Sequence, residues 1–92
     1  MHLISELTNN PDLAMIEKCL NRILQMDQLI RQKATGTPRE LASKIGLSER
    51  MIYEYLDLMK QWGAEIRFCK EHQSYLYINN VKFKYGYETI KK

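Results

Sequence analysis

A mainly α-helical domain with a small antiparallel β-hairpin is the fold class this sequence predicts, and three observations predict it. Beyond Asn10-Pro11 the chain runs to about Gln32 with no further glycine or proline. Residues 37–52 read as two short helices joined by one tight turn. Past Gly63 the apolar period changes from helical spacing to two, the mark of strands.

The first helix opens on Asn10 as a cap with Pro11 at its first position, where a missing N–H costs nothing. Ile16, Leu20, Ile23 and Ile30 form one apolar stripe, with Asp27 breaking it. Met15, Cys19, Met26 and Leu29 form a second, interrupted by Arg22. Two stripes suit a helix buried on two sides. It packs beneath the two following helices, or its half before Arg22 packs against a second copy of the chain. Residues 34–36 form a connector, read as a short bridging strand.

Thr37 is placed to cap the next helix, Pro38 suits its first turn, and Glu40 completes a Thr-x-x-Glu capping box. Leu41, Ala42 and Ile45 share an apolar face, and Gly46 supplies the positive φ that a sharp helix-to-helix turn requires. Ser48 caps a third helix, expected over residues 49–62. Ile52, Leu56 and Met59 point one way, and Met51, Tyr55, Leu58 and Trp62 widen that face. A small residue at the crossing (Ala42), a permissive turn (Gly46) and a branched plug (Ile52) are the logic of a helix-turn-helix. One core is expected to hold Leu41, Ala42, Ile45, Ile52, Leu56 and Met59.

Ile66 and Phe68 alternate with Arg67 and Cys69 in a strand, residues 71–74 turn, and residues 75–78 return. Asn79-Asn80 marks another turn. Val81, Phe83, Tyr85 and Tyr87 alternate with Lys82, Lys84 and Gly86, which predicts a further strand with one apolar and one cationic face. This element order is that of a winged helix. Residues 1–10 read as an N-terminal extension, and residues 11–92 as one domain with a basic carboxy-terminal tail that includes Lys91 and Lys92.

Ninety-two residues, nearly half of them apolar, fit one globular domain with a modest core. No apolar run reaches membrane-spanning length and the start lacks a basic signal-peptide opening, so a cytoplasmic protein is expected. Cys19 and Cys69 have no CxxC partner and read as buried free thiols, and His72 reads as no metal ligand. No cofactor and no small-molecule substrate are expected. With no phosphate-binding glycine loop, nucleophile–base pair or paired carboxylates, the chain is not read as an enzyme. A net charge of +3 is too mild to indicate nucleic acid unaided.

Residues 31–78 resemble the small bacterial winged helix-turn-helix domains of the type 11 and DeoR-like kind. The resemblance is carried by Leu41-Ala42, Gly46, Ser48-Glu49-Arg50, Tyr53-Glu54-Tyr55-Leu56, and the Met59 to Gly63 spacing. It covers about half the chain and implies duplex DNA binding in the service of transcription regulation. The family's basic-then-acidic pair is replaced here by Glu54-Tyr55. The third helix therefore carries Glu49, Glu54 and Asp57 against Arg50 and Lys60, a net charge of −1. That balance opposes phosphate, although Glu54 could accept from cytosine N4.

The expected DNA contacts are Arg50 and Tyr53 at base edges or phosphate, with Glu49 and Glu54 beside them. Thr37 and Ser48 cap helices whose amides also suit phosphate, and Arg39 lies within reach of the backbone. Lys70, His72 and Gln73 occupy the wing tip. The expected partner is duplex DNA, together with a homodimer through the first helix or the C-terminal strand. The competing reading is a winged helix used for protein interaction or dimerisation without specific DNA binding.

Overall fold

The computed structural model describes residues 11–90, and the extension over residues 1–10, with Lys91 and Lys92, lies outside them. Three helices, α1 (Pro11–Arg31), α2 (Pro38–Ile45) and α3 (Glu49–Gln61), precede an antiparallel hairpin of β1 (Ile66–Cys69) and β2 (Ser74–Tyr77). This is the mainly helical architecture with a small hairpin that the periodicity predicts.

Only the second half of α1 is built into the core. Ile23, Met26 and Ile30 are fully buried, whereas every residue from 11 to 18 is exposed. The expectation that Asp27 merely interrupts an apolar stripe is corrected: its side chain is as buried as its isoleucine neighbours. Arg31 Nε donates to Oδ2 at 2.9 Å, while the Tyr77 hydroxyl and the Phe83 amide donate to Oδ1 at 2.6 and 3.0 Å. A buried carboxylate is tolerated when its lone pairs are met by donors, which is the arrangement here.

The Thr37–Glu40 capping box forms in both directions and fixes the start of α2. Gly36 is required before it, because a Cβ there would come within 2.8 Å of the Glu40 side chain. Gly46 ends α2 in the left-handed region at φ 83°, and its N–H donates to the Ala42 carbonyl. Two residues on, the Ser48 side chain accepts from the Met51 N–H and starts α3. The turn is short because glycine removes the Cβ clash that would otherwise oppose this φ.

Leu41, Ala42, Ile52, Leu56 and Met59 are buried together with Ile23, Met26, Ile30, Tyr55, Ile66 and Tyr75. Full burial of each large aliphatic residue contributes about 1.5–3 kcal/mol, so this cluster dominates the stability of the domain. Ile45 packs on the edge of the cluster, half-buried, since α2 ends there. Trp62 lies one residue beyond α3 and is 54% exposed; its ring stacks on Phe83 at 5.8 Å.

The hairpin pairs Ile66 with Tyr77 and Cys69 with Ser74. Ser74 therefore belongs to β2 and not to the turn, where sequence placed it. Asn79 ties the exit of the hairpin to its entry, accepting from the Glu65 N–H and donating to the Gly63 carbonyl.

Two further expectations are corrected. The connector over residues 34–36 makes no bridging strand. Thr35 acts instead through its side chain: it is buried, Oγ1 accepts from the Tyr75 N–H at 2.8 Å, and its own N–H donates to Ser74 Oγ. The expected strand over residues 81–87 is also absent. Its alternation is real, but a strand needs a neighbouring edge to pair with. Here the Phe83 amide is spent on Asp27 of α1, and the Phe83 ring on Trp62. The tail crosses α1 as an irregular strap.

Candidate nucleic-acid interface

The two helix starts and the hairpin tip supply the residues that sequence singled out. Thr37 and Ser48 are N-caps, each accepting from a backbone N–H of its own helix. Glu40 completes the first cap, and its hydrogen bonds from the Thr37 backbone and side chain hold its carboxyl below the usual carboxylate range. Arg39 is exposed on α2. The neighbouring cation Lys44 is engaged, donating to the Ala34 carbonyl at 2.6 Å.

On α3 the residues expected to face solvent or a ligand (Glu49, Arg50, Tyr53, Glu54, Asp57, Lys60 and Gln61) are all exposed. The opposite face supplies the core, so core packing fixes which way this set points. The structure brings Arg50 and Glu54 together, with Nε 3.3 Å from Oε2 one helical turn away. Arg50 is 88% exposed. An exposed ion pair at this spacing stabilises a helix by only about 0.3–0.5 kcal/mol. The pair therefore leaves the guanidinium open to another acceptor at little cost.

Tyr53 connects α3 to the hairpin. The Tyr75 hydroxyl faces both Tyr53 and Glu49, and burial, with those two neighbours adding to it, pushes the Tyr75 hydroxyl up to about 12. Phe68, opposite Tyr75 in the hairpin, meets its ring edge-on at 5.2 Å. Burial likewise raises Tyr55, against the opposing effect of the Arg22 guanidinium that donates to its hydroxyl. Arg22 thus links α1 to Tyr55 of α3.

At the hairpin tip Lys70, His72 and Gln73 are exposed. Gln73 serves the turn itself: φ is +50°, and Nε2 donates to the Lys70 carbonyl at 2.7 Å. His72 has a close neighbour in Cys69, whose Sγ lies 3.3 Å from its Nδ1. No group of three metal-ligating side chains occurs among the described residues. Cys19 and Cys69 are free and half-buried, where burial was expected.

The residues that position this surface were legible only in part. Asp27 and Thr35 hold the hairpin and strap to α1 and its following connector, Asn79 closes the hairpin's base, and none was singled out in the sequence as an anchor. The one available signal was an aspartate on an apolar stripe with an arginine four residues on. No helix among the described residues is long and apolar enough to cross a membrane. Comparison with protein-family models, with curated proteins and with solved structures found no match for this chain.

Proposed function

We propose that this chain is a winged helix-turn-helix of the small bacterial type 11 or DeoR-like kind, that it binds duplex DNA sequence-specifically, and that it serves transcription regulation. α3 enters the major groove, where Arg50 addresses guanine and Tyr53 a phosphate or a thymine methyl. Arg39, Lys70 and the capped helix starts contact phosphate, and the hairpin is the wing.

The observation that carries this reading is the joint geometry of turn and hairpin. Gly46 in the left-handed region sets α2 against α3, and Tyr75 seats β2 beside Tyr53, so one exposed helix face and one hairpin lie on the same side of the core. A module that only buried its apolar faces would not need Arg50 and Tyr53 exposed together.

Selection from a random duplex pool tests the proposal. A preferred site should emerge, and Arg50→Ala should weaken it by about 1–3 kcal/mol while relaxing its sequence preference. A pool with no enrichment, and binding that vanishes at moderate salt, would overturn it.

A protein-interaction module is the second reading, and a specific observation favours it. The exposed face of α3 carries three carboxylates against two cations, one of which is already paired. Capture of a basic protein partner by that face, with no selected DNA, would establish this alternative.

A further inference from the structure

Charge is spread unevenly along this chain. Residues 1–80 carry cationic and anionic side chains in equal number, while residues 81–92 hold four lysines and one glutamate. The whole net charge of +3 therefore belongs to the strap and the residues that follow it. Aromatic residues interleave with that charge: Phe83, Tyr85 and Tyr87 alternate with Lys82, Lys84 and Gly86.

The structure keeps the cations in solvent and gathers the rings. Lys82 and Lys84 are exposed, whereas Val81 and Phe83 are half-buried. Lys82 makes no ion pair among the described residues. Lys84 meets only Glu88, at 3.6 Å with both side chains largely in solvent, a pair that holds it weakly. The rings form a ladder. Trp62, just past α3, stacks on Phe83 at 5.8 Å with the planes 15° apart, and Phe83 lies 6.4 Å from Tyr85. Phe83 is the anchored rung, since its amide is bound to Asp27. Asn21 of α1 steadies Tyr85 through its hydroxyl. The outer rungs stay open: Trp62 is 54% exposed, Tyr85 45%, and Tyr87 beyond them is wholly in solvent.

We propose that the strap is a binding site for single-stranded nucleic acid, with bases stacked on Trp62, Tyr85 and Tyr87 and phosphates met by Lys82 and Lys84. Open rings alternating with cations are what such a strand requires, because every base has a face to stack and every linkage a charge. A duplex answers the lysines but not the rings, since its base faces are already stacked on one another. An anionic bilayer would also attract the lysines. Rings immerse in a bilayer only when free to swing outward, and here Trp62 and Phe83 are fixed to each other and to α1. The site shares no residue with α3 or the hairpin tip, so it stands or falls separately from the duplex-binding reading.

Trp62 is the chain's single tryptophan and therefore reports on the ladder directly. The full chain is titrated at low salt with oligothymidylate and with oligouridylate of about twelve nucleotides, within the span such sites cover. Stacking should quench the Trp62 fluorescence; quenching by either strand supports the site, and the stronger of the two identifies the sugar it takes. Tyr87→Ser should weaken binding by roughly tenfold. Lys82→Gln and Lys84→Gln should each lower the slope of log affinity against log salt by about 0.7. All three variants should keep the native melting temperature, because these side chains lie outside the core. Arg50→Ala should leave oligonucleotide binding unchanged. Absence of binding at low salt overturns the proposal, as does binding that Tyr87→Ser and the lysine variants leave intact. Loss on Arg50→Ala would move the strand to α3 and overturn it too. So would a matched duplex that binds as tightly with the same losses, or phosphatidylserine vesicles that bind where the oligonucleotides do not.

Discussion

The Tyr77 hydroxyl donates a 2.6 Å hydrogen bond to Asp27, joining β2 to α1 across fifty residues of sequence. Asp27 in turn receives the Phe83 amide and the Arg31 guanidinium. One carboxylate therefore fixes the first helix, the hairpin and the strap together. Removing it as Asp27→Ala leaves the Tyr77 and Phe83 donors unmatched and should destabilise the domain by about 2–4 kcal/mol, read from urea unfolding. Tyr77→Phe should cost less, because the carboxylate keeps its other two donors. A loss below about 0.5 kcal/mol for Asp27→Ala would mean that water replaces these contacts freely.

Ala42 is 5% exposed and lies in the core beside Leu41, Ile52 and Leu56. Ala42→Leu adds three carbons where the structure offers no room, and overpacking of this kind costs about 1–3 kcal/mol. Thermal unfolding should show it as a lowered midpoint. An unchanged midpoint would count against a close α2–α3 crossing.

Stability should fall at alkaline pH. Burial raises the Tyr75 hydroxyl from 10.0 to about 12, and burial together with the adjacent Asp27 carboxylate raises Tyr77 further. A raised folded-state value means that the unfolded chain loses its proton first, so this stabilisation is complete below pH 10 and declines above it. Denaturant midpoints measured from pH 9 to 12 should decrease. Tyr77→Phe should flatten the slope, and an identical slope in that variant would show that Tyr77 does not titrate differently in the two states.

Glu54→Gln frees Arg50 from its ion pair and removes one of three carboxylates from α3. Folding stability should change by less than about 0.5 kcal/mol, as expected for an exposed pair. If α3 approaches phosphate, duplex affinity at low salt should rise, and fluorescence anisotropy would read the change. Equal affinity for native and variant chains would place Arg50 away from the nucleic acid.

The sequence by itself determined the helices, their caps and the turn, since these depend on residues at most four positions apart. Thr37, Glu40, Gly46 and Ser48 perform the local roles their spacing predicts. It also determined five of the six core residues expected around α2 and α3, and the exposed face of α3, because helical period and burial agree there. Tertiary structure alone decided the rest. Asp27, Thr35, Asn79 and Phe83 look like a stripe break, a connector, a turn and a strand residue until their partners appear. Arg31 apart, the partners that fix their roles lie 14 to 56 residues away. A hydrogen bond between distant groups leaves no periodic mark on the chain. The strap makes the point most directly: its alternation signals a strand, yet it pairs with neither edge of the hairpin, and a buried carboxylate and an aromatic ring hold it instead.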